Sequence, residues 1–152
     1  MFAEVLLTAT IGCSMQSGAD FPGAFQDPRN LVAGPFAWLG ARAGHVDGEY
    51  GDVYRWKQPV LVRPGHTVRL TVGAAARLTY DFDGWSFAGS ERTVVFRACS
   101  ARRAMSRSDG RPVTFWSGGI VMRRPNACVP IEIRIDHRPV RRRVVAYGNA
   151  DC

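Results

Sequence analysis

The segment IEIRID sets Ile131, Ile133 and Ile135 against Glu132, Arg134 and Asp136, one residue after another. The same period of two recurs in TVRLTV, where Val68, Leu70 and Val72 alternate with Arg69 and Thr71. It recurs again in RLTYDF (Leu78, Tyr80 and Phe82 against Arg77, Thr79 and Asp81) and in TVVFRAC (Val94, Phe96 and Ala98). A strand turns successive side chains to opposite faces, so this pattern gives a strand with one packed and one wet face. Helical spacing is almost absent.

The punctuation between these runs agrees. Pro64-Gly65 parts VLVR from HTVRLTV and reads as a tight hairpin turn, and Asp83-Gly84, Asp109-Gly110 and Pro125-Asn126 mark further turns. Strands are predicted near 31–39, 52–57, 59–63, 67–73, 76–82, 92–99, 113–122, 128–136 and 139–147. About eight short strands without amphipathic helices between them predict an all-β fold. The expected form is a single-domain antiparallel β-sandwich, immunoglobulin-like or a similar Greek key, over residues 29–152. Its two sheets should bury FAWL, VYRW and TFWS between them. A chain of 152 residues, 46% hydrophobic, is long enough for one such core.

Residues 1–28 form a separate N-terminal segment. MFAEVLLTATIGC holds a short apolar run, but no Lys or Arg precedes Arg29 and Glu4 interrupts it. A secretory signal needs a basic start and an unbroken apolar core. The segment reads as the remnant of an export signal or as the first strand. No stretch approaches 18 uncharged apolar residues, so no membrane span is expected.

Cys13, Cys99, Cys128 and Cys152 show no C-x-x-C spacing, and no histidine lies within four residues of any of them. Zinc and thioredoxin-like chemistry are poorly supported. Two disulfides in an oxidising compartment suit an even number of spread cysteines in a β-rich chain. Of three possible pairings we favour Cys99–Cys128, around the loop ARRAMSRSDGRP, with Cys13–Cys152 tying the termini.

The succession LVAGPFAWLGAR, QPVLVRPGHTVRLTV, RTVVFRAC, TFWSGGIVM and ACVPIEIRI, closed by a basic strand and a terminal cysteine, resembles small secreted β-rich proteins of high-GC Gram-positive bacteria. Arg97-Ala98-Cys99 and Cys128-Val129-Pro130 carry the most specific part of it. The resemblance implies an actinobacterial envelope or extracellular protein and carries over no catalytic residue.

Candidate chemistry is sparse. His45, His66 and His137 are the only histidines, and no G-x-S-x-G is present. HVDGEYGD (Asp47, Glu49, Asp52) and DFDG (Asp81, Asp83) cluster carboxylates, but neither has the spacing of a calcium loop, and Asp-Gly forms turns. The Cys, His and Met spacing of a copper site is missing. No catalytic residue, metal ligand or cofactor is assigned.

Charge is more telling. Residues 1–90 carry seven basic and eight acidic side chains, whereas 91–152 carry thirteen and five, so the second part holds the whole positive excess. HRPVRRR supplies Arg138, Arg141, Arg142 and Arg143; Arg123-Arg124 and ARRAMSR add more. On an edge strand such charges block aggregation. Gathered into one patch they would attract a polyanion in a salt-dependent way. The expectation is a non-enzymatic exported sandwich binding an anionic envelope polymer or a partner protein. One alternative is an envelope-polymer hydrolase using Asp47 and Asp83. The other is nucleic-acid binding by the C-terminal half, disfavoured because that strand offers only Tyr147 for stacking.

Overall fold

A computed structural model describes residues 8–43, 48–50, 52–80 and 91–152, with only the backbone of 48–50. Among the described residues fourteen strands follow one another: β1 (Thr8–Ile11), β2 (Leu31–Ala33), β3 (Phe36–Trp38), β4 (Gly48–Tyr50), β5 (Val53–Lys57), β6 (Val60–Val62) and β7 (Thr67–Val72), then β8 (Ala76–Thr79), β9 (Thr93–Arg97), β10 (Ser106–Ser108), β11 (Arg111–Trp116), β12 (Gly119–Met122), β13 (Ala127–Ile135) and β14 (Arg141–Tyr147). A single turn of 3-10 helix, Cys13–Met15, is the one helical piece among the described residues. The first sheet has the order β1-β9-β7-β13-β14, the second β10-β11-β6-β3-β2, and the third β4-β5-β12-β8.

The all-β, sandwich-like architecture is as expected, but the strand count is higher than eight. Three causes account for it. The run 31–39 is a hairpin turning at Gly34-Pro35, so it makes both β2 and β3. The run 113–122 bends at Ser117-Gly118 into β11 and β12. β1, β4 and β10 are three or four residues long, too short for alternation to mark them.

The bend has a counterpart. β5 and β6 meet at Gln58-Pro59, directly across from Gly118: Lys57 pairs with Gly119, Val60 pairs with Trp116, and Gln58 N–H donates to Gly118 O between them (2.9 Å). Two long strands thus turn together and carry the chain from the second sheet into the third. Only glycine fits on the bending side. A Cβ at Gly119 would collide with the backbone oxygen of Trp56, and Gly118 has φ of 153°.

The inner face of the first sheet (Val68, Leu70, Val72, Val94, Phe96, Ile131, Ile133, Ile135, Val145, Tyr147) packs against Trp38, Trp56, Trp116, Ile120 and Met122 of the other two. These are the alternating positions of the sequence, and FAWL, VYRW and TFWS each send a tryptophan into this core. Phe96 lies 5.3 Å from Trp116 and 5.1 Å from Tyr80, while Trp56 lies 5.0 Å from Tyr147, edge-on or tilted as aromatic quadrupoles prefer. Three buried polar tips find partners, whereas Trp56 Nε1 and Arg63 Nη1 are buried without a hydrogen-bond partner among the described residues. Trp38 Nε1–H donates to Tyr80 Oη (2.7 Å), Tyr80 donates to the carbonyl of Gln58, and Tyr147 donates to Gln58 Oε1 (2.9 Å). Burial raises the pKa of both tyrosines, so each keeps its proton as a donor. The second sheet is covered on its other face too, where Phe21, Ala24 and Phe25 pack on Leu61, Val113 and Phe115.

The disulfides are Cys13–Cys99 and Cys128–Cys152, not the favoured Cys99–Cys128 and Cys13–Cys152. Strand direction explains the difference. β1 runs parallel to β9, with Ile11 beside Phe96, so the chain leaving β1 arrives at the end of β9. Cys128 sits opposite Ala146 on β14, and the turn after Tyr147 brings the last residues back to it. All four cysteines are paired.

Candidate anion-binding face

The outer face of the first sheet carries the charge. Arg69 on β7 stands directly opposite Arg134 on β13, and Val95 of β9 is the next residue in that row. Arg97 pairs with Thr67 and so lies diagonally across from Arg69. In the neighbouring row Arg142 of β14 faces Glu132, with 3.3 Å between Nε and Oε1. Directly opposed residues have Cα atoms only about 5 Å apart, and like charges there are destabilising. No acid relieves Arg69, Arg97 or Arg134 by an ion pair among the described residues; Glu132, in the neighbouring row of the same face, is taken by Arg142.

A depression of about 240 Å³ lies over this point, lined by Arg69, Thr71, Glu132, Arg134 and Val140. Drug-sized ligands occupy roughly 300–1,000 Å³. The depression therefore has room for a single small group; its lining offers the Arg69 and Arg134 guanidinium forks and the Thr71 hydroxyl, which shares a hydrogen bond with Thr93 Oγ1 (3.0 Å), beside the Glu132 carboxylate. All of these side chains are exposed or half-buried, and the outer positions of this face hold no aromatic ring among the described residues.

The arginines named from the sequence do not converge. Arg123 and Arg124 precede β13 and Arg138 follows it, so the nine-residue strand separates them by roughly 27 Å at the usual rise. Arg141, Arg142 and Arg143 alternate across β14. Arg142 joins the outer face, while Arg141 and Arg143 stand opposite Ile133 and Ile131 on the inner side, at the rim of the core. The loop ARRAMSR runs into β10, and β10 and β14 are edge strands of different sheets. The residues that meet instead are Arg69, Arg97 and Arg134, from three segments far apart in sequence. Alternation had already turned Arg69 and Arg134 outward; what it lacked was the register that sets them face to face.

At one end of this face His66 Nδ1 lies 2.8 Å from Asp136 Oδ2, and Asp136 Oδ1 accepts from Thr67 N–H (2.9 Å). The Thr67 N–H and then His66 hold the Asp136 carboxyl below the ordinary aspartate range. The arrangement orients an imidazole, as a catalytic dyad would, yet no hydroxyl hydrogen-bonds His66 among the described residues and every thiol is oxidised. Its evident effect is to tie the entry of β7 to the exit of β13. The stabilisation from a lowered carboxylate pKa is complete above the ordinary aspartate pKa and fades as pH falls through the lowered value. Asp136→Asn, which tolerates the left-handed φ of 53° here, is expected to cost about 1 kcal/mol at neutral pH. The gap between wild type and variant should narrow on acidification, as urea midpoints measured from pH 7 to pH 2 will show.

Asp52 is exposed, and His45, Asp47, Asp81 and Asp83 lie outside the described residues, as does the side chain of Glu49. No group of three metal-ligating side chains occurs among the described residues, nor is any helix there long and apolar enough to cross a membrane. No family model matches this chain, and neither a curated protein nor a solved structure matches it.

Proposed function

We propose that this protein is a non-enzymatic, exported or envelope-associated β-sandwich that binds an anionic polymer through the outer face of its first sheet. The observation that carries the reading is the opposition of Arg69 and Arg134 across β7 and β13, with Arg97 alongside and no carboxylate paired to them among the described residues. Two cations held face to face are relieved by an anion between them, and a polymer of repeating anionic groups can also reach Arg97. Two disulfides support an oxidising location. The resemblance to secreted actinobacterial proteins points to the same place. A face without exposed aromatic rings favours a phosphate- or carboxylate-bearing envelope polymer over single-stranded nucleic acid.

The test is elution from immobilised polyphosphate in a salt gradient. Arg69→Gln/Arg134→Gln should elute at clearly lower salt than wild type, and the slope of log K against log salt should fall by about two. Arg102→Gln/Arg103→Gln removes the same charge from an exposed turn elsewhere. Equal losses in both double variants would mean that net charge, not this face, retains the protein, and the reading would fail.

A further inference from the structure

β14 is the outermost strand of the first sheet and β2 the outermost of the second. A groove of about 430 Å³ lies between these edges, lined by Leu31, Val32 and Arg42 on one side and by Arg143, Val144 and Ala146 on the other. Backbone direction along β14 follows from its neighbour. Gly73 N–H donates to Pro130 O and Asp136 N–H to Thr67 O (both 2.8 Å), so the even-numbered residues of β13 bond toward β7. The odd-numbered ones therefore bond toward β14, where they meet Arg141, Arg143, Val145 and Tyr147. That leaves the N–H and C=O groups of Arg142, Val144 and Ala146 directed at the groove.

Three more features mark this edge. The exposed large hydrophobic side chains among the described residues are Val32, Met105 and Val144, and two of the three line this groove. Its charged lining is cationic, Arg42 and Arg143, without a carboxylate. Arg143 also folds back so that Nη1 donates to Arg142 O (2.8 Å), covering one outward carbonyl of the free edge. An unpaired edge with apolar side chains is normally blunted, and its arginines do that here. They also set what can displace the guard: a strand that brings carboxylates.

The geometry points to β14 as an acceptor edge for strand addition by an extended acidic segment of a partner protein. The added strand pairs with Arg142, Val144 and Ala146 through its backbone, as in β-augmentation. It sets apolar side chains opposite Val144 and Val145 and acidic ones opposite Arg142 and Arg143, drawing Arg143 off the Arg142 carbonyl. A second copy of β14 is disfavoured as occupant, because each copy brings three consecutive arginines. The backbone groups that would pair with the added strand belong to β14 alone and not to Arg69 or Arg134, so either site can fail without the other.

The probe is the blocked peptide Thr-Val-Val-Glu-Glu-Thr, followed by residue-resolved amide exchange on the whole protein. Saturating peptide should slow exchange by at least about tenfold at Arg142, Val144 and Ala146, because opening is then limited by the new ladder. Arg141, Arg143 and Val145, already bonded to β13, should be unchanged. The lysine counterpart, Thr-Val-Val-Lys-Lys-Thr, should give no protection. Val144→Pro removes an outward N–H that the β13 ladder does not use, and should weaken binding about tenfold. If that variant does not fold, Arg143→Glu should abolish the response. Arg69→Gln/Arg134→Gln should retain it in full. No protection, protection without the alternation, or shifts confined to Arg69 and Arg134 would overturn the proposal. So would protection of these amides that grows with protein concentration alone, which would identify a second copy.

Discussion

Replacing Cys13 and Cys99 together by alanine is expected to destabilise the protein more than replacing Cys128 and Cys152. The first bridge joins residues 86 apart and the second residues 24 apart. On loop-closure entropy alone these separations correspond to about 4.6 and about 3.5 kcal/mol. Structure widens the gap. Cys13 continues directly from β1, whose Ile11 is buried in the core, and Cys99 is itself buried beside Thr114, whose Oγ1 accepts the Cys99 N–H (2.7 Å). Cys152 and Asp151 are exposed at the chain end. Losing the first bridge frees β1, which is held by one parallel neighbour at the sheet edge. Urea unfolding of both double variants under non-reducing conditions measures this. A larger loss for Cys128/Cys152 would contradict the account of how β1 is held.

Gly119→Ala should be damaging on a similar scale, at about 4 kcal/mol or more, beyond what most single substitutions cost. The added methyl meets the backbone oxygen of Trp56 and lies 3.0 Å from the backbone N of Gln58. Neither can move as a flexible side chain would. Both belong to the corner where β5 and β6 turn beside β11 and β12, and Gln58 there also anchors Tyr80 and Tyr147. A shift at this point loosens the buried hydrogen bonds as well as the sheet. Gly12→Ala is the control: nothing lies within 4 Å of its Cβ and its φ is −132°, so it should change stability by less than about 0.5 kcal/mol. Thermal melts of the two variants test the pair. A tolerated Gly119→Ala would show that the corner is looser than its geometry implies.

What the sequence could disclose follows from what is local. Alternation places Val68, Leu70, Val72, Ile131, Ile133 and Ile135 inward, and every one of them is buried. Pro64-Gly65 marks the turn before β7 because proline presets φ and Gly65 adopts φ of 79°, but β6 and β7 lie in different sheets, so the turn closes no hairpin. Pairing between distant strands leaves no such trace. Nothing in TATI shows that it will lie parallel to TVVF, and that single fact decides which cysteines meet. The basic face was hidden for the same reason. HRPVRRR is conspicuous as a run, yet a strand sends neighbouring arginines to opposite sides. Arg69 and Arg134 are inconspicuous, 65 positions apart, and the β7–β13 register sets them face to face. The run 137–143 is a turn leading into the edge strand β14, where Arg143 covers the Arg142 carbonyl; the proposed anion-binding face lies beside it.

The most direct test is an arginine side-chain NMR titration with short-chain polyphosphate, following each guanidinium Nε–H. Saturable shifts at Arg69 and Arg134, with Arg97 following and Arg102, Arg103, Arg123 and Arg124 unmoved, are the expected result. Shifts spread evenly over all the arginines, or strongest outside this face, would contradict the claim that the outer face of the first sheet is the binding site.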